Sequence, residues 1–455
     1  MTANRPLKSV GEAGKTRQKQ ARKRSLRAVI EHSEPVFNAV LPTQVVFQRP
    51  AKHLLSSLLL SLALLVGCDQ APEPRQGFAG LGEAAQGFAR VDRGQPLVFP
   101  RDHGAHPGYR IEWWYVTANL TDEQGRDWGV QWTLFRSALR PGEEQPGWHS
   151  PNLWMGHAGL SGPGRPLQNV GEAVSARQKQ AKKRSLRAVN EHFEPVFNAA
   201  MATQVVLQRP ANGHRYSERL ARGGIGQAGV EAEPFHAWID DWSLRGEPGQ
   251  GLQQLQMQAA GEDFRYRLQL RAEGPLVLHG ERGYSEKSGQ GQASYYYSQP
   301  FYRVGGEIER DGQRFTVSGQ AWLDREWSSQ PLAAEQQGWD WFSLHLAGGA
   351  KLMLFQVRQA DGEPYRAGTW VDADGNAQAL RGEQIQLSEQ AWTRQPHGRK
   401  VPTRWRIQVA KHGVDVQAEA IQPQAWMDTS FPYWEGPVRL SGEPGGRGYL
   451  EMTGY

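Results

Sequence analysis

From Leu97 to the C-terminus, apolar residues recur at every second position in short runs separated by Gly-rich turns, the pattern of half-buried β-strands. Arg110 to Leu120 is the first run and Trp128 to Phe135 the second, with Thr121 to Asp127 turning between them, and Trp154 to Leu160 is a third. Further strands are predicted at Phe235 to Leu244, Leu252 to Ala259, Phe264 to Arg271, Gly305 to Arg310, Arg314 to Leu323, Trp341 to Leu346, Lys351 to Arg358, Arg404 to Val409, Val414 to Ala418, Pro437 to Gly442 and Gly448 to Thr453. Helical periodicity is scarce outside two basic segments, so the pattern predicts an all-β protein of barrels or sandwiches.

The run from Arg314 places Phe315, Val317, Gly319, Ala321 and Leu323 on one face and Thr316, Ser318, Gln320, Trp322 and Asp324 on the other. Asp324 is thereby a strand-end carboxylate between Trp322 and Trp327, and a second acid, Asp340, follows between Trp339 and Trp341. A carboxyl held against indole loses water and shifts toward its neutral form, which keeps a proton available near neutral pH. The competing expectation is that Asp324 pairs with Arg325 or another cation and that the tryptophans are core.

Composition alters this picture in three ways. All 17 tryptophans lie beyond residue 112, so the globular part begins after roughly the first hundred of the 455 residues and suffices for two or three domains. The single cysteine, Cys68, excludes an intrachain disulfide and a Cys-rich metal site. The formal charge of +5 is uneven: residues 1–67 carry a net +8 and residues 165–211 a net +5, which leaves the remaining body at −8 and argues against a nucleic-acid-binding face.

The two basic segments are copies: residues 5–51 and 165–211 are identical at 35 of 47 positions. Two copies separated by unrelated sequence do not make a solenoid. They are expected to be translated copies of a mobile repeat, the alternative being a basic helix that binds nucleic acid or anionic lipid. Leu54 to Gly67 is an apolar run of 14 residues, too short to span a bilayer but suited to a signal peptide, and it ends in Leu65-Val66-Gly67-Cys68. That ending resembles a bacterial lipobox, which implies lipidation of Cys68, and Asp69 after it resembles an inner-membrane retention signal. The signal peptide is expected to start near Val45 or Val46. Residues 69–94, with Pro72 and Pro74, read as a tether.

Phe99 to Pro107 offers His103 and His106 beside Asp102, read as a hydrogen-bonding loop closing one end of a barrel rather than a metal site. Glu112 is followed by Trp113, Trp114 and Tyr115 on a strand, and Tyr295 and Tyr297 point to one face with Tyr296 to the other. A Gly-x-Ser-x-Gly elbow, a Walker loop and a dinucleotide fingerprint in strand-to-helix context do not occur, so neither cofactor nor metal is expected.

These motifs, with Ile239-Asp240-Asp241-Trp242, Trp322 to Trp327, Gly338 to Phe342, Tyr433-Trp434-Glu435-Gly436 and Gly448 to Tyr455, resemble the AttH-like family, related to carotenoid hydratases (hydroxyneurosporene synthase). The resemblance implies two consecutive lipocalin-like antiparallel β-barrels, often secreted or lipid-anchored and encoded beside an ABC transporter. In the hydratase branch it places the alkene-protonating aspartate at Asp324. His and Trp stand there where this chain has Tyr295 and Tyr297, and Tyr where it has Trp322.

The expectation is therefore a basic extension (1–52), a lipoprotein signal peptide (53–68), a tether (69–94), an N-terminal barrel (95–304, with 165–211 inserted) and a C-terminal barrel (305–455). The leading reading is a lipid-anchored protein, exported by the Sec pathway, at the periplasmic side of the inner membrane. It would bind a hydrophobic isoprenoid or lipid beside an ABC transporter permease, with Trp113, Trp114, Trp322, Trp327, Trp339 and Trp341 as ligand-binding residues. The alternative is a hydratase or hydrolase with Asp324 as general acid, supported by Asp340, Glu112, Tyr295 and Tyr297.

Overall fold

A computed structural model describes residues 81, 85–145, 149–163, 213–222 and 227–455, all within the unit Glu73–Tyr455. The sequence-based expectations for both basic copies, for the signal segment with Cys68 and for most of the tether lie outside the described residues.

Thirteen strands form the first sheet: β1 (Ile111–Asp122), β2 (Asp127–Ala138), β3 (Asn152–Ser161), β4 (His214–Arg222), β5 (Ala228–Ala232), β6 (Phe235–Ile239), β7 (Trp242–Gly246), β8 (Gln254–Ala260), β9 (Phe264–Ala272), β10 (Val277–Leu278), β11 (Tyr284–Glu286), β12 (Ala293–Arg310) and β13 (Gln313–Ser328). Their order is β4-β3-β2-β1-β13-β12-β9-β8-β7-β6-β5, and the sheet curls until β6 lies against β2, β3 and β4. The second sheet holds β14 (Gln336–Leu346), β15 (Lys351–Gln359), β16 (Tyr365–Val371), β17 (Ala377–Arg381), β18 (Gln386–Arg394), β19 (Lys400–Val409), β20 (Val414–Ala420), β21 (Trp426–Met427), β22 (Tyr433–Glu443) and β23 (Gly446–Thr453). It runs β17-β16-β15-β14-β23-β22-β20-β19-β18, and every pairing in both sheets is antiparallel.

Two expectations need correction. The predicted boundary at 304/305 cuts through β12, whereas β12 pairs with β9 and β13 with β1, so the first sheet runs to Ser328 and the second begins at Gln336. The strand predicted from Phe235 to Leu244 is a hairpin, β6 and β7, because Asp240 turns the chain at φ 52°, a conformation aspartate tolerates better than most residues.

Each barrel fills its interior with alternate residues of its strands: Val116, Leu134, Trp132, Leu323 and Trp327 in the first, Phe342, Leu344, Leu354 and Trp405 in the second. A third buried cluster joins the outer faces of the two sheets, with Tyr115, Tyr296 and Trp322 against Trp341, Met353, Phe355 and Tyr449. At this seam β1 and β2 contact β23 and β22. Gly129 permits the approach, since a Cβ there would lie 2.5 Å from the Pro437 ring. Strands bordering the seam are buried on both faces, so their side chains divide between a barrel interior and the seam according to whether their numbers are odd or even.

A candidate acid site at the seam between the barrels

On β13 the even-numbered residues face the seam, and Asp324 stands there between Trp322 and Glu326, only 2% exposed. Its neighbours across the sheet are Tyr115 of β1 and Ser298 of β12. Trp322 donates its indole N–H to Asp324 Oδ1 at 2.7 Å, and the Ser298 hydroxyl donates to the same oxygen. Ser298 Oγ in turn lies 2.6 Å from His279 Nε2, and His279 Nδ1 lies 2.8 Å from Thr369 Oγ1. Burial holds His279 well below the usual imidazole range, so the ring is neutral. One orientation satisfies the whole chain: Thr369 donates to Nδ1, Nε2–H donates to Ser298, and Ser298 donates to Asp324.

With two donors already on Oδ1, the proton of a neutral Asp324 belongs on Oδ2. The Tyr296 hydroxyl is within hydrogen-bond reach of this carboxyl and accepts from Trp341 Nε1 at 3.1 Å. Burial pushes the Asp324 carboxyl up to about 7, the nearby charge of Glu326 adds to the rise, and the bonds from Ser298, Trp322 and Tyr296 moderate it. Glu326 has its own cation, Lys287 at 2.8 Å, and accepts from Ser294. The Lys287 ammonium also lies 4.8 Å from the Tyr296 ring and 4.3 Å from Phe355.

Glu112 faces the opposite way, into the first barrel, where Arg136 and Arg325 both bind it and His106 Nδ1 lies 3.1 Å from Oε2. Burial alone would raise its pKa, but the two guanidiniums hold it well below the usual carboxylate range. Arg325 therefore serves Glu112 and not Asp324. It also lies 3.8 Å from the Trp114 ring and donates to Gly104 O at 2.5 Å. His106 stacks on Trp327 at 3.9 Å, and His103 Nδ1 lies 2.7 Å from the Tyr297 hydroxyl, so the loop from Phe99 to Pro107 is pinned to the interior of the first barrel. Asp340 belongs to the second barrel: Arg358 donates to it at 2.5 Å, Gln356 at 2.8 Å and Tyr455 at 2.9 Å. Gln356 and Arg358 also line a cavity of about 290 Å³ bordered by Arg366, Leu387, Glu389 and Trp405.

The predicted site residues thus separate into three places. Asp324, Trp113, Trp322, Trp339 and Trp341 share the seam; Glu112, Trp114, Tyr295, Tyr297 and Trp327 belong to the first barrel's interior; Asp340 belongs to the second's. Trp327 does not desolvate Asp324, because it is three residues along the strand and on the other face. Tyr295 and Tyr297 likewise turn away, and it is Tyr296 and Ser298 that reach the acid.

The model of the AttH-like family matches residues 90–194 and 175–455. The chain belongs to the AttH-like family. The crystal structure of an AttH candidate from Nitrosomonas europaea is 31% identical, with a TM-score of 0.63, and the match covers 81% of this chain and 99% of that one. Kievitone hydratase from Nectria haematococca shares the fold at 12% identity and a TM-score of 0.52, over 82% of this chain and 98% of that one. A comparison with curated proteins gives no match.

In this AttH-like protein the seam also holds residues to which the sequence alone assigns no role: His279, Ser298, Glu326, Tyr115, Glu435 and Glu451. Glu326 carried a usable signal, since it lies two positions after Asp324 and so shares its face. Glu435 and Glu451 stand in stretches that the family resemblance marks, but their pairing at the seam does not follow from alternation, because the approach of β22 and β23 to β2 and β1 arises only when the barrels pack.

Proposed function

We propose that this AttH-like protein binds a hydrophobic, isoprenoid- or lipid-like molecule at the seam and adds water to one of its alkenes, with Asp324 as proton donor. The observation that carries this reading is Asp324 itself, a buried carboxyl with no ion-pair partner among the described residues and a pKa near neutrality. Proton transfer from Oδ2 to an alkene carbon leaves a tertiary cation, which Trp322, Tyr296 and Trp341 would stabilise with their π-faces, and water then captures it. Kinship of fold with a protein named as a hydratase supports the same chemistry. On this reading the protein is anchored through Cys68 at the periplasmic side of a bacterial inner membrane, beside an ABC transporter permease.

Native mass spectrometry of the protein extracted from its own membrane tests the binding half. A retained apolar molecule is expected, and a protein that comes off empty under conditions preserving the fold contradicts it. Cys68→Ser is expected to move the protein from the membrane to the soluble fraction, and an unchanged distribution would remove the anchor.

A further inference from the structure

Across the seam from Asp324 the second barrel presents two more carboxyls. Glu435 of β22 and Glu451 of β23 are direct cross-strand neighbours, so their side chains stand together on the seam face. Tyr115, itself the cross-strand neighbour of Asp324, donates its hydroxyl to Glu435 Oε1 at 2.5 Å and lies close enough to Glu451 to lower its pKa. Trp339 Nε1 donates to Glu451 Oε1 at 2.6 Å.

The second oxygen of Glu435 sets this pair apart from a structural one. Glu435 is 1% exposed, yet among the described residues no donor meets Oε2 in hydrogen-bond geometry; the Tyr433 hydroxyl, near enough to lower its pKa, lies 2.8 Å from His157 Nδ1 instead. Further buried polar atoms that have no partner among the described residues stand on strand positions facing the same seam, namely Gln131 Oε1 and Asn119 Oδ1 from the first barrel and Ser343 Oγ from the second. Buried polar atoms are almost always satisfied, so such a concentration on two facing walls marks a place that takes up water or a polar ligand group.

We propose that Glu435 and Glu451 form the second half of the acid site, receiving the proton that the attacking water gives up. This rests on the reading of Asp324 as the alkene-protonating acid. Two carboxyls this close do not both ionise, so the pair carries one proton and one negative charge near neutral pH. In agreement, burial raises Glu435 well above the usual range, and Glu451 up to about 7. In the forward step Asp324 Oδ2–H gives its proton to one alkene carbon, the π electrons form the new C–H bond, and the other carbon becomes cationic. Water oxygen bonds to that carbon, and its excess proton passes to the singly charged pair. Glu451, the more exposed of the two, then returns a proton to solvent, and Asp324 takes one up before the next turnover. The sum is alkene plus water giving alcohol. The pair's negative charge, joined to the Asp324 side of the seam through Tyr115, also favours the cation while it exists.

Geraniol in D2O is the probe, with two readouts: hydrated product and deuterium in recovered geraniol. The full-length wild type is expected to give both, and Asp324→Asn neither. Glu435→Gln and Glu451→Gln are expected to lower hydration by about 100-fold while deuterium incorporation falls by about threefold or less, because protonation still occurs but water capture cannot finish. Tyr115→Phe, which leaves both carboxyls in place, is expected to lower hydration by about tenfold with the same split. Glutamine variants that hydrate nearly as the wild type does, or that lose both readouts together at unchanged thermal stability, overturn the role of the pair while leaving Asp324 as the acid. A wild type that does neither, or an Asp324→Asn that does both, overturns the acid reading and this inference with it.

Discussion

Asp324→Asn is expected to remove catalytic hydration, lowering kcat by about 10²–10⁴-fold, while binding of the apolar ligand changes little. Asparagine has the shape of the neutral acid and can still accept from Ser298 and Trp322, so the seam should keep its packing. The same substitution has a sign in stability. Burial pushes the folded-state carboxyl up to about 7 from an ordinary value of 3.8, so between about pH 4 and 7 the folded protein retains a proton that the unfolded chain has released. Stability therefore falls as pH rises through that window, and the wild type meets the full penalty above it. Asp324→Asn abolishes the slope, so the variant should gain on the order of 4 kcal/mol over the wild type above pH 8 and almost nothing below pH 4. Urea unfolding at the two pH values reads the difference, and a variant that is equally stable relative to wild type at both would contradict a neutral buried acid.

Glu112→Gln is expected to be the most damaging single change to the fold, at about 3–5 kcal/mol, because it strands two buried guanidiniums that share this carboxylate. Here the folded-state pKa is depressed, so the contribution is present above the unfolded value near 4.5 and is lost as pH falls below it toward the folded one. The denaturation midpoint at pH 7 should drop with an unchanged slope, and the gap from wild type should close in acid. Since Glu112 and Asp324 lie on opposite faces of the first sheet, folded Glu112→Gln should titrate Asp324 as the wild type does. A variant that keeps its stability but loses turnover would show that the division between interior and seam is wrong.

Much of this was legible in the chain. Asp324 could be found because indoles flank it and the alternation from Phe315 to Leu323 fixes its face. Its partners could not, because the alternation stops being informative where both faces of a strand are buried. Tyr295, Tyr296 and Tyr297 are all buried, two toward one cluster and one toward another, and nothing in their order says which cluster holds the acid. The same two-sided burial hides the N-terminal two-thirds of β12, so that the pattern predicts only Gly305 to Arg310 of an 18-residue strand. β17 and β18 escape the pattern for another reason: they are edges of the second sheet, and their polar residues break the apolar alternation. Arg325 illustrates a third limit. Adjacent to Asp324 in sequence, it looked like a natural counter-charge, yet successive strand residues point to opposite faces and its guanidinium meets Glu112 instead.

Infrared titration of the wild type against Asp324→Asn tests the central claim most directly, because a buried protonated carboxyl has a carbonyl band that a carboxylate lacks. The band assigned to Asp324 by its loss in the variant should be present at pH 5 and disappear with a midpoint near 7. A midpoint near 4, with Asp324 already ionised at neutral pH, would contradict the account.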